Sequence, residues 1–256
     1  MDHLDQLALL GGGLLAGIAS SSVGAASLIS FPILVAVGLP PVVANASNTV
    51  GLVPAGVGGA LGYRRELAEY PRLSSAVIAT SAAGGVVGAT LLLVLDPGVF
   101  EAIVPWLILF ASALVAAQPM ISAWARRRTL RRGLAPRDRQ TMSGPVAGLS
   151  TLMGVYGGYF GAAQGVILVA FYALGIDVEL RIINALKTLA IFASNVVATV
   201  VFVIWADLDW AAVVLVGLGS LVGGYLGALI GRRLPPWLFR VLVVVMGLTV
   251  GLTMLL

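Results

Sequence analysis

Long runs of apolar residues, interrupted only by short stretches of charges and prolines, constrain this chain more than any other feature. They form eight blocks, near 7–39, 42–62, 73–95, 99–124, 144–176, 180–205, 210–231 and 237–256. A helix needs about 20 apolar residues to cross about 30 Å of hydrocarbon, and six blocks have about that length. Hydrophobic residues make up 59% of the chain and charged residues only 10%, which is too little polar surface for a water-soluble globule. The sequence therefore predicts an all-α polytopic membrane protein and excludes a soluble enzyme, a disordered chain and a nucleic-acid binder.

The first and fifth blocks are too long for one ordinary crossing. Each carries a break near its middle, at Ser20–Gly24 and at Tyr156–Gly161, and the arms on either side are too short to cross alone. Two interpretations follow. The block is either one tilted, interrupted span or a re-entrant hairpin that enters and leaves the membrane on the same side, with its irregular backbone buried in protein or beside water.

The two halves of the chain repeat. The segment Asn45–Thr49 (Asn-Ala-Ser-Asn-Thr) matches Asn184–Thr188 (Asn-Ala-Leu-Lys-Thr) at an offset of 184 − 45 = 139, and the chain contains only four asparagines. The same offset aligns three pairs of glycines, at 84, 85 and 88 with 223, 224 and 227. We therefore expect a first membrane repeat over 1–125, a basic linker over 126–143 and a second membrane repeat over 144–256.

The arginines bear on the two interpretations of the long blocks. If those blocks are hairpins, each repeat has a re-entrant hairpin plus three transmembrane helices, and the second repeat is inverted relative to the first. Every arginine cluster then falls on one side of the membrane, as the positive-inside rule favours. If the blocks cross once, the repeats are parallel and Arg232 and Arg233 fall on the side opposite the linker. We favour the two inverted-topology repeats, with the linker in the cytoplasm.

Lys187, the one lysine of the chain, lies deep within an apolar block. An ionisable side chain at that depth is costly and marks a functional site by default. No Asp or Glu lies well inside an apolar block to neutralise it. The alternative is a structural lysine that donates to carbonyls at a helix end.

Polar residues accompany Lys187 at helical spacing. Residues three or four apart share a helix face, so the two matching segments each present a polar stripe. The candidate substrate-binding residues on these stripes are Asn45, Asn48, Thr49, Asn184, Lys187 and Thr188. The alternative role for the amides and hydroxyls is hydrogen bonding between helices.

The two breaks add further candidates. A helix that begins at a break directs its free N–H groups toward the middle of the membrane, where they attract anions. The candidate residues at the breaks are Ser21, Ser22, Gly24, Gly161 and Gln164. A lysine, amides and two positive helix ends predict a site for a small anion. Cysteine is absent and the one histidine is at position 3, so we expect no catalysis, no metal site and no cofactor.

At these segments the chain resembles the TauE/SafE sulfite exporter family of bacterial membrane permeases. The resemblance is carried by residues 30–32 and 45–49, then 62–67, 157–162 and 184–188, and it covers both halves. It implies a secondary transporter in the cytoplasmic membrane of a bacterium that exports a small sulfur oxyanion or an organosulfonate, such as sulfite, by alternating access around an anion site at the midplane. An anion channel, or a transporter of another small anion such as a carboxylate, is the alternative.

The expected partners follow from this interpretation. They are a small anionic substrate and the lipid bilayer, with no nucleic acid. The glycine-rich segment 217–231 can pack within one protomer or between two. The sequence is therefore compatible with a monomer and with a homo-oligomer.

Overall fold

A computed structural model describes residues 2–22, 24–132, 141–230 and 236–255 of the chain. All the regular secondary structure in these ranges is helical. The helices are α1 (His3–Ser22), α2 (Ser27–Ala36), α3 (Pro41–Gly62), α4 (Arg64–Glu69), α5 (Pro71–Val94), α6 (Pro97–Arg132), α7 (Gly144–Tyr159), α8 (Gln164–Gly175), α9 (Leu180–Trp205), α10 (Trp210–Ile230) and α11 (Pro236–Thr253).

Several helices begin at a proline, which fits the first helical turn because its missing N–H has no partner there. Helices α3, α5 and α6 begin in this way, at Pro41, Pro71 and Pro97. By length and hydropathy, α5, α9 and the part of α6 from Pro97 to Arg131 can each cross a membrane.

The helices follow the predicted blocks with two differences. Helix α6 continues through the first basic residues to Arg132, and a short helix, α4, stands between the second and third blocks. The middle of the predicted linker, 133–140, and the pair Arg232 and Arg233 lie outside the described residues.

The first and fifth blocks are each divided into two helices by a glycine with positive φ. Gly24 has φ +74° and Gly161 has φ +73°, a conformation that glycine adopts without steric cost. The backbone N–H of each glycine donates a hydrogen bond to the carbonyl five residues earlier. Gly24 donates to Ala19 at 3.0 Å and Gly161 donates to Tyr156 at 2.8 Å. These two bonds end α1 and α7 in the same way.

The second arm of each block folds back along the first. A Cβ added at Gly12 in α1 would lie 2.6 Å from Cδ1 of Ile33 in α2, and one added at Gly175 in α8 would meet Val146 in α7. Both pairs are far apart in sequence and on opposite sides of the break. The arms therefore run antiparallel, and the break is the tip of a hairpin. We call the tips tip 1 (24–26) and tip 2 (160–163).

Each hairpin packs closely against a helix from the other half of the chain. Gly154 in α7 approaches the backbone of Ser81 in α5, and Gly17 in α1 approaches the backbone of Ser220 in α10. The residues of these contacts correspond, because 220 − 81 = 139 is the offset found in the sequence and 154 − 17 = 137 differs from it by only two residues. The close approach of backbones at glycine is the usual packing of membrane helices.

Helix α3 crosses α9 at the centre of the molecule. An added Cβ at Gly56 would lie 2.8 Å from Cδ2 of Phe192, and one at Gly59 would lie 3.0 Å from Cγ2 of Thr188. Since the residue numbers rise along α3 as they fall along α9, these two helices are antiparallel. The two hairpin tips lie beside this crossing.

Candidate functional site

A cavity of about 460 Å³ lies between the α3–α9 crossing and the two hairpin tips. One end is lined by Gly62, Tyr63 and Glu66, where α3 passes into α4. The other end reaches Thr49 in α3 and Asn195 in α9. The volume is in the range of small-molecule sites.

Lys187 projects into this cavity from α9. Its Cδ lies 3.1 Å from the position of a Cβ added at Gly165, and its Nζ lies 3.6 Å from that of a Cβ added at Gly24. The lysine stem thus passes the start of α8 and brings the ammonium to tip 1. No hydrogen bond or ion pair engages this ammonium within the part of the chain that the structure describes.

Tip 1 contributes free backbone donors beside that ammonium. Ala25, Ala26 and Ser27 line the cavity, and no acceptor among the described residues takes their backbone N–H groups. Such groups at a helix start carry partial positive charge and bind anions. The ammonium and the N–H groups together form a cationic, donor-rich environment, and no carboxylate of the described residues is paired with this ammonium.

Tip 2 contributes an aromatic ring to the wall of the cavity. Phe160 lines the cavity and is buried. Its ring packs edge to face against Phe31 of α2, with centroids 5.5 Å apart, and against Phe100 of α6, at 6.1 Å. The ring of Phe100 also meets Tyr159 at 5.5 Å. We call these four residues the aromatic cluster; it lies between the cavity and the end of the molecule where α3 and α6 begin.

Glu66 is the one carboxylate among the described residues that line the cavity. It forms an ion pair with Arg181, at the start of α9, with an N–O distance of 3.2 Å. Arg181 also forms an ion pair with Glu69, at 3.3 Å. The pKa of the Glu66 carboxyl is held below its ordinary value, first by a backbone hydrogen bond at Glu66 and further by Arg181. The carboxylate is therefore charged and paired, and it sits at the opposite end of the cavity from the aromatic cluster.

Five of the residues predicted from sequence line the cavity. They are Gly24, Thr49, Gly161, Lys187 and Thr188. The two threonines are held alike, since each hydroxyl donates to the carbonyl one turn earlier, that of Asn45 at 3.0 Å and that of Asn184 at 2.9 Å. Their oxygens stay available as acceptors.

The predicted amides are placed elsewhere. Asn45 donates to the carbonyl of Tyr159 at 2.8 Å and thereby ties α3 to tip 2. Asn184 donates to Leu180 O at 3.0 Å and Gln164 to Met153 O at 2.7 Å, within their own helix or hairpin. Asn48 is buried, and its Oδ1 has no hydrogen-bond partner among the described residues.

Ser21 and Ser22 belong to the last turn of α1. Their side chains lie outside the described residues. Within the described ranges, no group of three or more His, Asp or Glu side chains stands close enough to hold a metal ion.

Sequence reasoning missed five polar residues of the cavity, which are Ser20, Ser27, Tyr63, Glu66 and Asn195. Asn195 had a signal, because it is one of only four asparagines and lies within an apolar block. Ser27 had a weaker one, its position three residues beyond the break.

Comparisons with known proteins agree with a membrane transporter. The family described as sulfite exporter TauE/SafE matches residues 9–254. A probable membrane transporter protein, ORF9, of a Sinorhizobium species is 26% identical over 247 residues, covering 94% of this chain and 88% of its own length. A probable membrane transporter protein of Haemophilus influenzae is 24% identical over 236 residues, covering 91% and 88%.

The probable membrane transporter protein YfcA of Escherichia coli K12 is 26% identical over 226 residues, covering 86% of this chain and 77% of its own length. No solved structure matches the chain. The matched family, the bacterial relatives and the apolar helices identify an integral membrane transporter of bacteria. The chain belongs to the sulfite exporter TauE/SafE family.

Proposed function

We propose that the protein is a secondary transporter that exports a small sulfur oxyanion or an organosulfonate, such as sulfite, by alternating access. The observation that carries this proposal is the free Lys187 ammonium, which faces a closed-ended cavity beside the free N–H groups of tip 1. A buried cation without an anion is costly in a membrane. A bound oxyanion offsets that cost because its oxygens accept from the ammonium and from the N–H groups together.

The contacts of the helices support two inverted repeats. Helix α1 is parallel to α10, as Gly13 meets Val216 and Gly17 meets Ser220. Helix α10 is parallel to α3, because Asp209 donates to Ser47 near the starts of both helices and Gly224 faces Ala55 farther along. Helix α1 therefore points the same way as α3.

Helix α7 points the opposite way. Its end meets Asn45, near the start of α3. Its beginning, at Val146, meets Gly175, shortly before α9 begins beside the end of α3. The equivalent first helices of the two repeats thus run in opposite directions, as inverted repeats require.

The arginines orient the carrier in the membrane. The cavity reaches the end of α3 that precedes Arg64 and Arg65, and Arg181 stands at the same end. Under the positive-inside rule this end faces the cytoplasm of the inner membrane, as does the linker 126–143. The aromatic cluster then separates the cavity from the outside, and the conformation is inward-facing.

This closure favours a carrier over a channel. A channel needs a continuous path, whereas the aromatic cluster and the packed start of α3 stand between the cavity and the far end. Alternating access requires the cluster to part while the end near Glu66 closes.

Counterflow in proteoliposomes tests the proposal. Vesicles loaded with unlabelled sulfite should take up labelled sulfite transiently and saturably, and ethanesulfonate should compete. Ohmic, non-saturating flux would indicate a channel. If neither sulfite nor ethanesulfonate exchanges, the substrate assignment is wrong.

The inverted arrangement has a separate test. The chain contains no cysteine, so single cysteines can be introduced without a prior deletion. Asp177→Cys, in the loop after α8, should react with a membrane-impermeant maleimide only from the cytoplasmic side. Labelling of position 177 from the outside would exclude inverted repeats.

A further inference from the structure

Asn195 is the polar side chain of α9 at the end of the cavity farthest from Glu66. It lies eight residues beyond Lys187, and both line the cavity. No hydrogen bond to its amide is found among the described residues. The donors and the acceptor of the amide are therefore available to the cavity. A polar group in an apolar environment costs free energy unless it is hydrogen-bonded.

The equivalent position in the first repeat carries no side chain. Subtracting the offset, 195 − 139 = 56, gives Gly56, which also lines the cavity. The amide is thus present on one side of the pseudo-symmetric cavity only. A bonding role in the scaffold would leave this amide paired to protein, as Asn45 is paired to Tyr159.

The wall between the two polar groups is apolar. Ile191 and Phe192 lie between Lys187 and Asn195 along α9, and Leu52 and Val53 line the cavity from α3. Along the cavity the order is therefore cation, apolar band and amide. A ligand that matches this order has an anionic head, a short carbon chain and a neutral polar end.

The helix separates the two groups along the cavity. Eight residues of α-helix rise by about 12 Å, so the backbone positions of Lys187 and Asn195 lie about two turns apart. A ligand that touches both side chains is therefore extended along the cavity.

We infer that Asn195 selects substrates by binding a second, neutral polar group, such as a hydroxyl, at the end of the molecule opposite the anion. This inference rests on the proposed function, since it assumes that the anionic head binds at Lys187. It adds a preference that a simple anion site does not have: a hydroxyl at the far end of a longer substrate is recognised by a hydrogen bond.

Two sulfonates that differ only in a terminal hydroxyl test the inference. Ethanesulfonate and its hydroxylated analogue, 2-hydroxyethanesulfonate, are compared as substrates of the full-length protein in proteoliposomes, by counterflow with each compound labelled. The wild type should show a KM for the hydroxylated compound lower by roughly tenfold, the difference that one ordinary hydrogen bond supplies. Asn195→Leu, similar in size but without hydrogen-bonding groups, should abolish the difference by raising the KM for the hydroxylated compound alone.

Two variants control for folding and position. Asn195→Ser keeps a hydroxyl at the site and should retain part of the preference, even if the leucine variant folds poorly. Ser194→Ala changes the neighbouring polar residue, whose hydroxyl donates to Ile191 O at 3.0 Å and does not line the cavity. It should leave the ratio between the two KM values unchanged.

The outcomes separate the inference from the proposed function. If the wild type transports both sulfonates with equal KM, or if the ratio survives in Asn195→Leu, the role of Asn195 is refuted and the anion carrier stands. If the wild type transports neither sulfonate nor sulfite, the proposed function fails and the inference fails with it. An equal loss for both compounds in Asn195→Leu would show a structural role and would also refute the inference.

Discussion

Gly24 is the position where a single methyl group best tests the site at tip 1. The change Gly24→Ala places a Cβ 3.6 Å from the Nζ of Lys187. A substrate oxygen that accepts from this ammonium lies about 2.8 Å from it, so the methyl occupies the space between the ammonium and the tip. We expect the loss of about one charge-assisted hydrogen bond, which is worth about 1.5–3 kcal/mol. The KM should therefore rise by roughly 10- to 150-fold.

The same substitution also strains the backbone, and Gly38 supplies the matched control. Both glycines have positive φ, +74° at Gly24 and +92° at Gly38, where alanine costs about 1–2 kcal/mol. No atom lies within 4 Å of a Cβ added at Gly38, and this residue does not line the cavity with Lys187. Gly38→Ala should therefore lower the melting temperature as much as Gly24→Ala while leaving the KM unchanged.

The assay is sulfite counterflow, with the melting temperature of each purified variant measured alongside. If Gly24→Ala and Gly38→Ala have the same KM, tip 1 does not bind the substrate. The anion site would then have to be sought elsewhere along the cavity.

Three further predictions address the packing, the cytoplasmic end and the lysine. Gly84→Val should destabilise the protein by about 1–3 kcal/mol or more, because the valine side chain would meet the α7 backbone. Gly148→Val is the control and should not destabilise the protein, because there is open space around this position. Equal melting temperatures of the two variants would contradict the packing. The stabilising effect of Glu66 is measured as the difference in melting temperature between the wild type and Glu66→Gln. This difference should be constant from neutrality down to the ordinary pKa of 4.5 and should vanish as the pH falls through the lower pKa of the folded state. A loss that begins above pH 4.5 would contradict the ion pair. An amine-selective reagent should modify Lys187 from the cytoplasmic side and be blocked by sulfite; modification from the outside alone would contradict the inward-facing cavity.

The sequence predicted the order of the helices well because hydropathy and breaks are local properties. The predicted block 180–205 coincides with α9, and the breaks at Ser20–Gly24 and Tyr156–Gly161 contain the ends of α1 and α7. Helix α4 was missed because the prediction relied on apolar blocks, and four of the six residues of this helix are charged. The helical extension of α6 was missed for the same reason, since its last turns are basic.

The candidate site was harder to predict than the fold. The depth of a helical residue in the membrane follows from its position in the apolar block, but the direction of its side chain depends on how the helices pack. Lys187 lies in the cavity, as expected from its cost in an apolar block. Asn45 belongs to the same matched pattern but turns to tip 2. Asn195, whose position corresponds to Gly56 by the offset of 139 residues, lies toward the cavity. The crossing of α3 and α9 decides between these directions, and no local pattern encodes that crossing.

Sulfite counterflow with Lys187→Met tests the central claim most directly. Methionine keeps the unbranched stem that packs against Gly165 and removes the charge. The wild type should show saturable exchange, and the variant, at an unchanged melting temperature, should lose it or require at least roughly tenfold more sulfite. Exchange by Lys187→Met with wild-type KM and rate would contradict an anion site built on this lysine.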